Sequence, residues 1–227
     1  MPTFFERRDL VTPGDLLAEG DYIAGENTFK DNGQIYAERI GLVEYKERMV
    51  EVVALQSFYI PRIGDTIIGK IVKAGMRGWS VDIKAPYLAS LRATDALGRP
   101  FDPKRDDLFS ILEIGDLVIA KVVAYDRTSN PLLTVRDPSL GKIAGGQIVE
   151  VTPSKIPRLI GRKGSMINMI KQGTHCKIIL GQNGLVLVRG KTLKNEQLAI
   201  KAIRKVERES HTSGLTDRVN KMIIEEK

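Results

Sequence analysis

The spacing of hydrophobic residues changes along this 227-residue chain and divides it into three parts. Up to residue 62, short alternating runs lie between glycine-rich turns, a pattern typical of short β-strands. The turn Asn32-Gly33 precedes an alternating run that starts at Ile35. Asn-Gly favours a two-residue hairpin because both positions accept a positive φ. Residues 1–62 are therefore predicted to form a small β-domain.

The second part, residues 63–140, contains two stretches that each begin Ile-Gly-Asp and continue into a strand rich in valine and isoleucine. Between them lies a polar insertion, residues 97–112, which is predicted to hold a short helix. Five strands with a long connection before the fourth are typical of a small oligonucleotide-binding (OB) barrel. A charge-neutral β-sandwich would show a similar alternation, so the pattern alone leaves both folds open.

The third part, residues 146–210, changes to helical spacing and predicts the order strand, helix, helix, strand, strand, helix. Ser165 is predicted to cap the second helix and Gly173 to end it. Either Thr192 or Asn195 is predicted to cap the last helix.

Residues 211–227 form a predicted helical tail. Hydrophobic residues recur in it at helical spacing, namely Leu215, Val219, Met222 and Ile223. Such a stripe packs against either a partner protein or the rest of its own chain, and packing within the chain is the simpler interpretation.

The net charge of +7 is concentrated in one region. Residues 142–210 carry 14 Lys and Arg against 4 Asp and Glu, whereas residues 1–141 carry 18 against 21. The last 17 residues carry 3 of each sign. A basic excess confined to one third of the chain indicates a surface for a polyanion.

The basic region contains the run IGRKGSMI, residues 160–167. Gly161 and Gly164 would let the backbone approach a phosphodiester, the following helix would direct N–H groups at it, and Arg162 and Lys163 would add charge. This loop and the predicted element order are those of a type I KH domain, which clamps about four nucleotides of single-stranded RNA. An ordinary turn between helices with exposed basic residues is the alternative. No Walker phosphate loop is present, because its Lys-Ser/Thr pair is missing.

An apolar groove beside this loop is predicted to hold the bases. Its predicted lining is Ile160, Ile167, Ile170 and residues 178–180. The predicted RNA-binding residues of this region are Arg158, Ile160, Gly161, Arg162, Lys163, Gly164, Ser165 and Lys171. In the barrel the predicted RNA contacts are Arg77, Arg99, Lys104 and Arg105, with Arg92 as a further candidate. Trp79 could stack on a base, but the pattern GWSVDI favours a buried strand residue.

No residues with catalytic spacing stand out, and neither an enzymatic activity nor a cofactor is predicted. His175 and Cys176 are adjacent on a predicted strand, so their side chains would point to opposite faces. The single cysteine excludes an intramolecular disulfide and favours a reducing cytoplasm. Asp102, Asp106 and Asp107 could hold Mg²⁺, but neighbouring Lys and Arg make a solvated loop the simpler interpretation. No apolar run approaches the roughly 20 residues that span a bilayer, so no membrane partner is expected.

The chain resembles the KH-containing RNA-binding cap subunit of the archaeal RNA exosome. The resemblance covers residues 10–206. It is carried at the front by VTPGDLLAEGDYIAGENTF, IYAERIGLV, YIPRIGDTIIGKIV and GWSVDI, and at the back by RLIGRKGSMINMI and ILGQNGLVLV. The family's domain order implies an N-terminal β-domain, a five-stranded OB-fold barrel of the S-1 type and a C-terminal type I KH domain. GQNG before a strand is a mark of this family.

The resemblance also implies a non-catalytic role in 3′-to-5′ RNA degradation. Three copies, alone or mixed with another cap subunit, would sit on a hexameric ring of phosphorolytic ribonuclease subunits and deliver single-stranded RNA to its pore. Residues 1–62 would hold the ring. The alternative function is a stand-alone transcription or translation factor that uses S-1-type and KH modules to hold RNA, and such a factor has no need of this N-terminal domain.

Overall fold

The computed structural model describes residues 2–55, 58–126, 128–210, 212 and 214–226. The chain divides into two compact units, Met1–Ser57 and Phe58–Lys227. The predicted mixed architecture, mainly β with an α/β part at the C-terminal end, is confirmed.

The first unit consists of two small antiparallel-rich sheets around one apolar core. One sheet has the order β1-β6-β7-β3 and the other β2-β5-β4. The strands are β1 (Leu10–Val11), β2 (Leu16–Glu19), β3 (Ile23–Ala24), β4 (Thr28–Asp31), β5 (Gln34–Ala37), β6 (Gly41–Lys46) and β7 (Met49–Ala54). Asn32 and Gly33 join β4 to β5 with φ values of 46° and 82°, so the predicted hairpin is confirmed.

The second unit begins with a closed five-stranded barrel. Its strands are β8 (Thr66–Ala74), β9 (Gly78–Asp82), β10 (Ala89–Arg92), β11 (Leu117–Ala124) and β12 (Leu132–Thr134). The sheet runs β12-β10-β9-β8-β11, and β11 pairs again with β12 to close it. Two short helices, α1 (Ala93–Leu97) and α2 (Leu108–Ile111), occupy the connection before the fourth strand. The second is the short helix predicted in the insertion, and the first was not predicted. Because the pairing of β11 with β12 closes the sheet, this part of the chain is a barrel and not a β-sandwich.

After the short strand β13 (Gly141–Lys142), the chain adopts the predicted KH order. The elements are β14 (Gln147–Glu150), α3 (Ile156–Ile160), α4 (Ser165–Thr174), β15 (Lys177–Leu180), β16 (Leu185–Arg189) and α5 (Leu193–Arg208). The sheet order is β14-β16-β15. Thr192 caps α5, because its hydroxyl accepts a hydrogen bond from the Asn195 N–H at 3.2 Å.

The tail forms α6 (Leu215–Glu225), which packs into the KH core through Leu215, Val219 and Ile223. This confirms the interpretation that the stripe serves its own chain. Gly173 was predicted to end α4, but it lies inside the helix. A glycine is needed there because a Cβ would stand 2.7 Å from Cγ2 of Ile223. The helix instead ends at Thr174, and His175 follows with a φ of 55°. Gly173 is thus a packing position for α6.

The barrel and the KH sheet share a small apolar core. Ile68 and Ile119 of the barrel pack with Leu185 and Leu187 of β16. The alternate residues of β16 face the KH helices, so both faces of this sheet are covered.

The GQNG turn, residues 181–184, fastens this junction. Asn183 is 3% exposed. Its Nδ2 donates to the carbonyls of Ile68 at 2.6 Å and Ile83 at 3.0 Å, and its Oδ1 accepts from the Ile68 N–H at 3.3 Å. The Gln182 N–H donates to the Thr66 carbonyl at 2.8 Å. The barrel and the KH domain are therefore held in one orientation by directional contacts.

Candidate nucleic-acid interface

The loop between α3 and α4 contains three residues with positive φ. These are Gly161 at 74°, Lys163 at 50° and Gly164 at 78°. The Gly161 N–H donates to the Pro157 carbonyl at 3.0 Å, and the Gly164 N–H donates to the Gly161 carbonyl at 3.2 Å. The loop is thus a compact turn with a fixed backbone path.

Glycine is required at the two ends of this turn for different reasons. At Gly161 a Cβ would stand 2.8 Å from both the backbone N and the Cβ of Met166, in addition to the positive φ. At Gly164 the space is larger, with Asn168 Nδ2 at 3.3 Å, so its positive φ is the main constraint. Neither position presents a side chain to a ligand, which leaves the backbone open to close approach.

The helix after the loop begins without a side-chain cap. Ser165 was predicted to cap α4, and this is wrong: Gly164 occupies the N-cap position and Ser165 is the first helical residue. The positive φ of Gly164 turns the chain into the helix, so a serine at the cap is not needed. No side chain caps α4, although the Ser165 N–H itself donates to the Arg162 carbonyl. The positive dipole end of α4 therefore lies at the loop without a side chain over it, which suits an anion.

The basic residues around this turn differ in their availability. Arg162 and Lys163 are exposed, and within the described part of the chain neither forms an ion pair. Lys171, about two helical turns beyond Gly164, is half-buried. Arg158 is exposed, but its Nη2 donates to the Thr212 carbonyl at 3.0 Å and so is partly used in holding the segment before α6. Two cations are therefore directly available at the turn.

The predicted lining of the base groove needs correction. Ile167, Ile170 and Ile178 are 6%, 0% and 2% exposed and belong to the KH core. Ile179 packs on the barrel side of the sheet. Ile160 and Leu180 remain only partly buried against the KH core. The apolar surface beside the loop is therefore narrower than predicted, because both faces of β15 are used for packing.

In the barrel, the predicted RNA contacts fall into two groups. Arg77 lies exposed in the β8–β9 turn, and Lys104 and Arg105 lie exposed in the insertion. Arg99, in contrast, holds Asp106 with Nη1 at 2.9 Å and Nη2 at 2.5 Å. This hydrogen bond lowers the pKa of Asp106 to about 2. Arg99 thus has fewer donors left for RNA than the other three, and its contact with RNA stays a prediction.

The outer face of β8, β9 and β10 carries a basic residue that the sequence analysis did not single out. Lys73 lies opposite Ser80 on β9, and Ser80 lies opposite Ser90 on β10. Arg92 lies on the same strand as Ser90, two residues on, and therefore on the same face. Small hydroxyl residues between two exposed cations leave room for a nucleic-acid backbone. Lys73 lies on this face because the pairing of β8 with β9 shifts register between Ile71 and Lys73, which simple alternation along the chain does not show.

Trp79 is buried and does not offer a stacking surface. It is 3% exposed in the barrel core, and its Nε1 donates to the Leu112 carbonyl at 3.0 Å. The interpretation of Trp79 as a packing residue is therefore confirmed. Tyr87, at 54% exposure, and Phe109, at 56%, are aromatic residues of this barrel region that face solvent.

The residues considered for catalysis are used in other ways. His175 and Cys176 precede β15 and do not lie on it, which corrects the predicted strand, and burial raises the pKa of the Cys176 thiol. Asp107 caps α2 by accepting from the Phe109 N–H at 3.0 Å. Over residues 2–55, 58–126 and the described positions beyond, no three His, Cys, Asp or Glu residues gather to hold a metal. In the same residues, no helix combines the length and apolar character needed to cross a membrane.

Comparison with known proteins identifies both ends of the chain. Residues 8–56 match the family model of the Exosome RNA binding protein RRP4 N-terminal domain, and residues 146–205 match that of the KH domain. The exosome complex component Rrp4 of Thermococcus kodakarensis is 49% identical over 223 residues, 97% of this chain and 87% of that protein. The Rrp4 component of Sulfurisphaera tokodaii is 42% identical over 225 residues, 98% of this chain and 91% of that protein.

A solved structure supports the same assignment. A crystal structure named as an exosome complex RNA-binding protein is 46% identical, with a TM-score of 0.71, and the match covers 75% of this chain and 97% of that one. With both domain models and nearly full-length relatives in agreement, the chain belongs to the Rrp4 family of exosome complex components.

Proposed function

We propose that this chain is a non-catalytic RNA-binding subunit that captures single-stranded RNA and feeds it to a phosphorolytic exoribonuclease ring. The observation that carries the proposal is the turn at residues 161–164. It joins a glycine backbone, an uncapped helix N-terminus and two exposed cations at one point. The phosphate backbone of single-stranded RNA fits this combination, because each phosphodiester accepts hydrogen bonds from N–H groups and brings one negative charge to the two cations.

The RNA path that we propose runs from this turn to the barrel. At the turn it includes Gly161, Arg162, Lys163, Gly164 and Ser165. The flanking contacts are Arg158, Ile160 and Lys171, and the barrel contacts are Arg77, Arg99, Lys104 and Arg105, to which we add Lys73 and Arg92. The fixed junction at Asn183 supports this path, because it keeps barrel and KH cations in a constant arrangement.

The partner that performs the chemistry is, in this proposal, a hexameric ring of phosphorolytic subunits in the cytoplasm. Three copies of the chain, alone or with another cap subunit, bind it through residues 1–62. The charge distribution supports a division of labour, since the basic excess lies in residues 142–210 and the first 141 residues carry a slight acidic excess. The relatives' assignment to the exosome supports the choice of partner.

Co-purification tests this function against the stand-alone factor. The full chain, tagged at its C-terminus and isolated from native extract after nuclease treatment, is expected to bring down phosphorolytic ring subunits in stoichiometric amounts. Recovery with ribosomes or RNA polymerase in place of the ring would favour the alternative function and contradict the proposal. Nuclease treatment removes partners that are bridged only by RNA.

A further inference from the structure

The KH sheet has a pair of like charges at the end of its β15–β16 ladder. Lys177 on β15 lies directly opposite Arg189 on β16. Both side chains are exposed. Lys191, two residues beyond Arg189 and also exposed, adds a third positive charge.

The alternation of the two strands shows where this pair points. Ile178, Val186 and Val188 face the KH helices. Lys177 and Arg189 occupy the opposite parity and therefore lie on the other face of the sheet, beyond the apolar patch that meets the barrel. The pair thus borders the barrel junction and is open to solvent.

No acid balances these charges in the part of the chain that the structure describes. Lys177, Arg189 and Lys191 have no ion pair there. The acid next along the chain, Glu196, is 9% exposed and turned inward. Its Oε1 accepts from the Gly190 N–H at 2.9 Å and its Oε2 from Gln147 Nε2 at 3.2 Å.

Like charges directly opposite on paired strands destabilise a sheet. An anion between them removes that cost. A phosphodiester suits the pair, because a guanidinium binds two phosphate oxygens in a fork and an ammonium adds a point charge. The Lys177–Arg189 pair therefore favours binding of an anion, whereas it destabilises the sheet when no anion is bound.

The pair is spatially separate from the turn at residues 161–164. Helix α4 begins at the turn, runs for 10 residues and ends three residues before Lys177, the first residue of β15. At 1.5 Å per residue the helix spans about 15 Å. An oligonucleotide of about four residues occupies the turn, whereas a longer strand extends beyond it.

We propose that Lys177, Arg189 and Lys191 form a second contact for the phosphate backbone of the single-stranded RNA held at the turn. This inference rests on the proposed function, since it assumes RNA as the ligand. It predicts that the KH domain binds long RNA more tightly and with a steeper salt dependence than a tetranucleotide.

The test uses the full chain with Lys177→Glu, which converts the like pair into an opposite pair. Lys221→Glu on α6 is the matched control, because it makes the same change in net charge on the same domain. Affinity is measured by fluorescence anisotropy for a 4-nucleotide and a 20-nucleotide single-stranded RNA across a salt series. Thermal unfolding is followed on the same preparations.

Lys177→Glu is expected to stabilise the fold and to weaken binding of the 20-nucleotide RNA. Lys177→Glu should raise the Tm by about 1–4 °C, weaken the 20-mer about tenfold and reduce its salt slope by about 1.4 units, as for two lost phosphate contacts. Tetranucleotide affinity should match that of the control. Should Lys177→Glu not fold, Lys177→Gln with Arg189→Gln should give the same binding loss.

Two outcomes separate this inference from the function on which it rests. If Lys177→Glu binds the 20-mer like Lys221→Glu, the second contact is disproved, even when Arg162→Ala with Lys163→Ala weakens both RNAs. If the Arg162 and Lys163 double variant binds both RNAs like the wild type, the turn is not the RNA site and the proposed function fails as well.

Discussion

Gly161 determines what the turn between α3 and α4 is able to do. A Cβ at this position would collide with the backbone of Met166, so no other residue fits without moving the start of α4. The same absence of a side chain leaves the backbone of the turn open to close approach by a ligand. The missing Cβ of Gly161 therefore both avoids a collision with Met166 and lets a ligand come close to the backbone.

Replacing Gly161 and Gly164 with Asp should weaken binding of single-stranded RNA by about tenfold or more. The side chains would block the close backbone approach, and the carboxylates would repel phosphates. Filter binding and circular dichroism on one preparation measure affinity and folding together.

The matched control for this variant is Gly115→Asp with Gly145→Asp. Both glycines have positive φ and open space around the missing Cβ, so charge and backbone strain change in the same sense. Equal affinity of the two folded double variants would mean that the turn is not the clamp.

Arg162 and Lys163 should contribute through counterion release. Changing both to Ala should reduce the slope of log K against log salt by about one to two units, since each phosphate contact on a single strand contributes about 0.7. Lys201→Ala with Lys221→Ala is the control, because these lysines pair with Glu226 and Glu225. A slope equal to that of the control would place the RNA contacts on other cations.

At the scale of secondary-structure elements, the KH domain contains two Gly-x-x-Gly turns with opposite roles. Residues 161–164 form an exposed turn, while residues 181–184 are buried against the barrel. The two turns differ in their middle residues. Arg162 and Lys163 of the first turn are exposed to solvent, whereas Asn183 of the second turn is buried and hydrogen-bonded to the barrel backbone. Spacing of glycines alone does not distinguish them.

Asn183→Ala should destabilise the second unit while leaving the RNA clamp intact. The loss of three buried hydrogen bonds leaves backbone groups of Ile68 and Ile83 unsatisfied. The expected cost is about 2–4 kcal/mol, or a Tm lower by about 5–10 °C. Thermal unfolding with tetranucleotide binding measures both effects.

Gln182→Ala is the control within the same turn, because Gln182 bonds to the barrel through its backbone N–H only. It should change the Tm by less than about 2 °C, as is usual for substitutions away from buried networks. Equal Tm values for the two variants would contradict the role of the Asn183 amide.

Local chemistry made several elements predictable from the sequence. The Asn32-Gly33 hairpin, the KH element order and the Thr192 cap follow from turn residues and periodicity within a few positions of each other. The errors arose where tertiary packing decides. Gly164, and not Ser165, is the N-cap residue of α4, because its left-handed backbone conformation turns the chain into the helix. Gly173 leaves room for the side chain of Ile223 on α6, 50 residues further along the chain.

The groove lining and the Asn183 junction were not predictable for a related reason. Ile170 and Ile178 have the same hydrophobicity as residues of an open groove, and only the packing of α5 and α6 around them determines that they are buried. Asn183 bonds to residues 115 and 100 positions away in the sequence. A polar residue in a turn gives no local sign of such a partner.

At the scale of the whole molecule, the central claim is that this chain captures RNA and a partner cleaves it. Charge and site chemistry agree on this division. The basic excess surrounds the turn, while Asp106 pairs with Arg99, Asp107 caps α2 and Cys176 lies buried. A chain that captures RNA without cleaving it, as we propose, requires a second protein that acts on the bound RNA.

Phosphate-dependent release of nucleoside diphosphates from labelled single-stranded RNA tests this claim most directly. Four samples are compared: the chain alone, the ring alone, the ring with the wild-type chain, and the ring with the Gly161→Asp, Gly164→Asp chain, after gel filtration has verified that both chains co-elute with the ring. The account predicts no release by the chain alone, faster release by the ring with the wild-type chain at limiting RNA, and little stimulation by the variant. Release by the chain alone that survives a second chromatographic step, or full stimulation by the variant, would contradict it.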